Sequence, residues 1–265
     1  MHYILTLSYR GAGLSGWQVQ NNAETVQGEL DKALGILFGR PVHTTGAGRT
    51  DTGVNAVNYV CDFETPETLR LTKRDFLYKI NAILRKEIVV HDIAETDAGE
   101  FGRTGEYPFN SRFSAKSRQY RYFLHGAKDP FAESFSWRCP WPLDIDAMNR
   151  AARLLLGEHD FSCFEKVGGG NATSVCNVLR AEWSRYIPAH VTQLGFPDDG
   201  RYLVFTIEAN RFLRNMVRAV VGTLVDVGRG RRSAESVAAL MASGKRSGAG
   251  ESVPGTALFL SKIIY

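Results

Sequence analysis

Cysteine is scarce in this chain. The four present, Cys61, Cys139, Cys163 and Cys176, include no pair separated by two residues. That spacing excludes a CxxC zinc or redox motif and supplies no disulfide framework, so the chain reads as a cytoplasmic protein with no metal centre. Long apolar runs are missing too, and none reaches the length of a membrane span. The opening MHYILTLSYRG alternates like a strand and lacks the basic n-region and small-residue cleavage site of a secretory signal. No GK[ST] follows a glycine-rich stretch, which excludes a Walker-type phosphate loop. No second acid sits in a glycine loop comparable to the one around Asp51, which argues against a two-carboxylate glycosidase.

What is present supports an ordinary globular chain: 265 residues, 44% of them hydrophobic, suffice for two domains with real cores. The net charge of +4 is modest but unevenly spread. Residues 112–125 hold four Lys or Arg and no acid, and residues 211–232 hold six Arg against Asp226 alone. Residues 92–106, by contrast, carry five acids against Arg103. Basic clusters beside an acidic segment suit a polyanion partner such as nucleic acid; solvated basic faces without a partner are the other reading.

Periodicity predicts a strand at 2–9, an amphipathic helix at 24–38 built on Val26, Leu30, Ala33, Leu34 and Leu37, and a strand in which Val57, Tyr59, Cys61 and Phe63 face the core. A helix at 73–83 and a strand at 88–93 complete a first α/β unit. Residues 95–110, rich in glycine and acid and containing Pro108, read as an interdomain connection. Beyond it come an alternating strand at 113–125, a helix at 146–156 capped by Gly157, and a glycine loop at 168–170 before Asn171. Strands at 183–187 and 202–209, a helix at 212–227, a polar glycine-rich loop and a terminal strand ending at Tyr265 follow. The expected boundary separates domain 1–106 from domain 107–265.

Three places could carry chemistry. In GAGRTDTGVNA, residues 46–56, Asp51 follows Arg49 in a loop whose glycines permit close approach of backbone or ligand. The loop presents Asp51 for chemistry, or Asp51 merely caps its own turn. In RFSAKSRQYRYFLH, alternation puts Lys116, Arg118, Tyr120 and Tyr122 on one face, where cations and phenols could hold phosphates and stack a base, or simply cover a sheet edge. In the helix predicted over 212–227, Arg211, Arg214 and Arg218 fall at intervals of three and four. Arg218, flanked by Val217 and Val221, would be partly buried and in need of an acidic partner; a plain exposed stripe is the alternative. At His159 and Asp160, local capping is the expected role.

Taken together, GWQ at 16–18, GAGRTDTGVNA, RFSAKSRQYRY, GEHDFS at 157–162 and ANRFLRNMVRAVVGTLVDVGRGR resemble, in this order and spacing, the tRNA pseudouridine synthases of the TruA type. The resemblance runs from Tyr9 to Tyr265. It implies an α+β fold of two α/β domains, each a mainly antiparallel sheet flanked by helices, with the active-site cleft between them. It implies a cofactor-free isomerase that acts on uridines at positions 38 to 40 in the tRNA anticodon arm, and a homodimer. Asp51 matches the catalytic aspartate, Arg49 its loop partner, Tyr120 the tyrosine that stacks on uracil, Arg218 the arginine paired with the aspartate, and Leu258 an apolar residue under the pocket. Lys116, Arg118, Arg211 and Arg214 are the expected RNA contacts. Arg10, Asn55, Asn110 and Ala257 depart from the usual Asp, His, His and Gly, and the segment 167–177 departs from the usual basic pattern. Two other classes compete: an RNA-binding module, which would not need Asp51, and a hydrolytic nucleosidase, which would release free uracil.

Overall fold

The computed structural model describes all residues except 67, 97–108, 167 and 169–172. In chain order the elements are β1 (His2–Tyr9), α1 (Val26–Phe38), β2 (Thr44–Gly46), β3 (Asn55–Glu64), α2 (Lys73–Ile83), β4 (Ile88–Thr96), β5 (Ser117–His125), β6 (Trp137–Arg138), α3 (Ile145–Arg153) and β7 (Gly157–Asp160). There follow β8 (Val175–Arg185), α4 (Ala189–Leu194), β9 (Leu203–Ala209), α5 (Met216–Gly228), α6 (Ser236–Ser243) and β10 (Leu258–Ile264). The fold is α+β. The chain forms two compact units, Met1–Lys116 with Leu260–Tyr265, and Ser117–Phe259. The expected boundary at 106/107 and most of the expected connection at 95–110 lie outside the described residues, as does most of the glycine loop before Asn171. Among the described residues no helix is long and apolar enough to cross a membrane.

In the first unit the strand order is β4-β1-β3-β10, with β2 also on β3; β1 runs antiparallel to both β3 and β4. Helix α1 starts where the Thr25 hydroxyl accepts the Gly28 N–H and stops at Gly39 in the left-handed region, φ 66°. Its Val26, Leu30 and Leu34 are fully buried, a contribution of roughly 1.5–3 kcal/mol each. One expectation fails here. Val57 is 42% exposed, whereas Ala56 is buried. The cause is a bulge: Leu7 lies opposite Tyr59 but Tyr9 opposite Ala56, so β3 carries one extra residue. Asn58 absorbs it with φ 53°, and the alternation of side chains inverts on its N-terminal side.

The second unit orders its strands β5-β9-β8-β7, with β6 parallel to β5 and the neighbours on the path antiparallel. Helix α3 buries Met148, Ala151 and Ala152, and α5 is buried along nearly its whole length. Four expectations are corrected. The strand expected from 113 begins at Ser117, because the Asn110 side chain accepts the N–H groups of Arg112 and Phe113 and holds a turn there. Helix α3 ends at Arg153, and Gly157 does not cap it but opens β7 with φ 96°. Strand β8 starts at Val175, eight residues before the strand read at 183–187. Helix α5 starts only at Met216, because Asn215, at φ 67°, breaks the helical path from residue 212.

Candidate active site

The Asp51 loop is held from beneath by an aromatic frame. Tyr9 at the end of β1, Trp17, and Tyr59 on β3 place their ring centroids 4.3 to 6.3 Å apart. The Tyr59 hydroxyl donates to the Gly48 carbonyl at 2.6 Å and lies 3.2 Å from its N–H, and the Tyr9 hydroxyl meets the Thr50 hydroxyl at 2.8 Å. A Cβ at Gly46 would sit 2.3 Å from the Tyr59 oxygen and 2.4 Å from the Trp17 ring, so only glycine fits between frame and loop. From the other side comes the segment 11–17. The N–H of Trp17 reaches the Thr50 carbonyl at 3.3 Å, the N–H of Gly53 reaches the Leu14 carbonyl at 3.3 Å, and the N–H of Gly11 is accepted by the buried Asn55 side chain at 2.9 Å. Gly16, at φ 84°, comes so close that a Cβ there would be 2.2 Å from the Thr50 oxygen. The Val54 N–H closes the turn on the Asp51 carbonyl at 3.1 Å. Asp51 is half-buried at its tip and Arg49 is exposed.

Within the second unit, β5 and the connection from β9 to α5 bring several expected residues together. Tyr120, 7% exposed, meets the Phe212 ring edge-on at 5.0 Å, and an Arg118 Nη donates to the Asn210 carbonyl at 3.1 Å. Arg211 is half-buried in the same connection, and the Arg214 side chain is exposed while its carbonyl accepts the Lys166 N–H. Because both precede α5, they share no helix stripe with Arg218, contrary to expectation. Lys116 likewise precedes β5 and belongs to the first unit, where its N–H donates to the Ile264 carbonyl at 2.7 Å. Tyr122 is no surface phenol: it is fully buried, and its hydroxyl donates to the Pro254 carbonyl at 3.0 Å. Burial pushes that hydroxyl well above its usual range, with the nearby Arg218 charge pulling weakly the other way.

Arg218, half-buried on the first turn of α5, donates its Nε–H to the Val253 carbonyl at 2.6 Å. The chain then passes through a short turn, Gly255–Ala257, to the buried Leu258. Sequence reasoning missed Trp17, Tyr9 and Tyr59 as the frame, and it missed the 250–254 segment that receives Arg218. The signal for the latter was Gly250, read only as part of a polar glycine-rich loop. At residues 159 and 160 the local role holds: the His159 ring contacts the Leu156 carbonyl and the Asp160 carboxylate accepts the Ser162 N–H.

The four cysteines are free and buried, and burial raises every one of their thiols, Cys163 and Cys176 to about 11, so none is poised as a thiolate. Among the described residues no cluster of three or more His, Cys, Asp or Glu could hold a metal ion. A hollow of about 640 Å³ near the C-terminal end of α5, lined in part by Asp144, Arg150, Arg229 and Arg232, contains none of the expected site residues.

A mostly antiparallel α+β framework with one aspartate in a glycine loop of its first unit, and arginines and tyrosines on its second, fits the class of enzymes that act on RNA. Comparison with known proteins narrows that class. A family model described as tRNA pseudouridine synthase matches residues 151–265. The chain is 38% identical over 266 residues to the tRNA pseudouridine synthase A of Parabacteroides distasonis, covering 99% of this chain and 95% of the relative. It is 38% identical to that of Bacteroides thetaiotaomicron, covering 99% and 90%, and 36% identical to that of a Geobacillus species, covering 98% and 96%. The chain belongs to the TruA-type tRNA pseudouridine synthase family, whose members are isomerases.

Proposed function

We propose that this isomerase converts uridine to pseudouridine at positions 38, 39 and 40 of the tRNA anticodon stem-loop, with Asp51 as nucleophile. The observation that carries the reading is the clamped loop: Asp51 sits at the tip of a turn whose backbone is fixed from both sides. The reaction breaks the N1–C1′ bond and forms a C5–C1′ bond; N1 gains a proton and C5 loses one. Electrons and atoms balance without a cofactor. A carboxylate suits the step because positive character grows on the reacting carbon as the base departs. Arg218 supplies the counter-charge that keeps the aspartate ionised, and an arginine contact lowers a carboxylate pKa by roughly 1–3 units. Tyr120, fixed edge-on by Phe212, serves as a rigid wall for the uracil, and Leu258 as its apolar floor. Arg49, Lys116, Arg118, Arg211 and Arg214 contact the RNA and offset the few kcal/mol spent in flipping the target nucleotide out. The protein acts as a homodimer in the cytoplasm.

The decisive assay incubates tRNA labelled with tritium at uridine C5 with the parent protein and with Asp51→Ala. The parent should release tritium and leave pseudouridine at 38–40. Asp51→Ala should bind tRNA within about twofold of the parent and release none, since removing a covalent nucleophile abolishes the step and spares binding. Substantial release by Asp51→Ala defeats the nucleophile assignment. Free uracil from the parent would indicate a nucleosidase, and binding without either product an RNA-binding module.

A further inference from the structure

Arg218 is useful to the proposed reaction only if its guanidinium points one way before the substrate arrives. The geometry of the second unit shows what could set that direction. Residues 250–254 lie as a strap along α5 and touch it at successive turns. The Asn215 side chain donates to the Ser252 hydroxyl at 2.6 Å. At Arg218 the contact is reciprocal: its Nε–H donates to the Val253 carbonyl at 2.6 Å, and the Val253 N–H donates to the Arg218 carbonyl at 3.3 Å. One turn on, the Thr223 hydroxyl accepts the Gly250 N–H at 2.8 Å and itself donates to the Ala219 carbonyl at 2.8 Å. Between these anchors strap and helix meet at two glycines. A Cβ at Gly222 would be 1.9 Å from the Glu251 oxygen, and a Cβ at Gly250 would be 2.7 Å from the Gly222 carbon and the Thr223 nitrogen. The far end is fixed to β5 by the Tyr122 hydroxyl on the Pro254 carbonyl.

We infer that Gly222 and Thr223 are positioning residues that seat the strap on α5, and that the seated Val253 carbonyl aims the Arg218 guanidinium. The inference rests on the catalytic reading of Arg218. A guanidinium held at Nε has its plane fixed, so the Nη groups become the part of the fork that meets a carboxylate or a phosphate. The helix side of this contact is buried: Gly222 is buried and Thr223 is 1% exposed. A methyl at Gly222 cannot be accommodated by a side-chain rotation, because the atom it meets is backbone. The strap itself would have to lift, taking the Val253 carbonyl with it. Thr223 acts more gently: without its hydroxyl the Gly250 N–H loses its acceptor while the helix keeps its shape.

Two measurements on the full-length protein test this. The first follows exchange of the Arg218 Nε–H by nitrogen-15 NMR, assigned with Arg218→Lys; the second is steady-state turnover on tRNA. Thr223→Val should accelerate Nε–H exchange about tenfold and lower kcat about tenfold to a hundredfold, with KM within about twofold, as expected when a catalytic group is misplaced by about an ångström. Thr223→Ser, which keeps the hydroxyl, should return both to the parent values. Gly222→Ala should repeat the Thr223→Val pattern by a different route. Unchanged Nε–H exchange in both folded variants overturns the inference while leaving the Asp51 reading intact. Faster exchange with unchanged kcat defeats the catalytic reading of Arg218, and the inference falls with it. If Gly222→Ala does not fold, the Thr223 pair decides alone.

Discussion

A carboxylate can be offered to a substrate only if its backbone cannot retreat, and what prevents Asp51 from retreating is an arrangement of glycines and aromatic rings. Gly46 is a tight point against side chains, with the Tyr59 oxygen 2.3 Å and the Trp17 ring 2.4 Å from an added Cβ. Gly46→Ala must therefore push Tyr59 aside, and Tyr59 carries the bond to the Gly48 carbonyl. Overpacking of this kind costs about 1–3 kcal/mol. The expected result is a lower Tm together with a kcat that falls further than stability explains, measured under conditions where the variant is still folded. A variant with reduced Tm but parental kcat would show that the frame supports the fold and not the aspartate. Asn55, which departs from the family's usual histidine, has a definite place here: its buried side chain receives the Gly11 N–H and ties the two loops together.

At the scale of elements, the parts legible in the sequence were those whose signal is local. Helix α2 matches its expected bounds, 73–83, because Thr72 caps it and Phe76 and Ile80 repeat at the helical interval. The glycine loop was legible because glycine spacing marks backbone demands directly. The start of β8 was not, since its outward Leu179 and inward Ala181 blur the alternation, and the β3 bulge was not, since an extra residue depends on its partner strand. The strap over α5 was hidden for the same reason: its Gly250 answers a helix more than twenty residues earlier. Nor did any local signal mark Asp129, the hub of the turn after β5. Its carboxylate accepts the Phe131 N–H at 2.9 Å, the Tyr202 hydroxyl at 2.9 Å and His190 at 2.8 Å, joining that turn to the residue just before β9 and to α4. Burial alone would raise the Asp129 carboxyl, but the Phe131 N–H, Tyr202 and His190 together outweigh it and hold it below its ordinary 3.8. A carboxyl depressed in the folded state adds stability that is present above its unfolded value and is lost as pH falls through the folded one. The parent should therefore lose Tm more steeply than Asp129→Asn as pH falls from about 5 to about 2.5, and at neutral pH Asp129→Asn should be less stable by about 1.5–3 kcal/mol. Parallel acid melts of the two proteins would remove Asp129 from that role.

At the scale of the molecule, the chain does not finish its units in the order in which it begins them. The first unit takes its last strand from the opposite end of the sequence, since Leu260–Tyr265 counts with Met1–Lys116 and β10 lies beside β3. The attachments are specific: the Lys116 N–H to the Ile264 carbonyl at 2.7 Å, the Tyr265 hydroxyl to the Ser111 carbonyl at 3.0 Å, the Tyr265 ring 5.2 Å from Phe109, and Leu260 almost fully buried. The unit that carries Asp51 is thus incomplete until the whole second unit has been synthesised, and its stability depends on residues 260–265, far along the chain from the Asp51 loop. Removing residues 260–265 deletes a buried leucine and at least two hydrogen bonds, a loss of roughly 4–6 kcal/mol to the first unit. For a protein of this size that corresponds to a fall in Tm of about 10–20 °C. Hydrogen exchange should locate the damage, with the amides of β3 losing protection and those of β9 keeping it, and a peptide spanning 258–265 should restore β3 protection in trans. Equal protection of β3 in the truncated and full-length proteins would mean that the first unit stands without its borrowed strand.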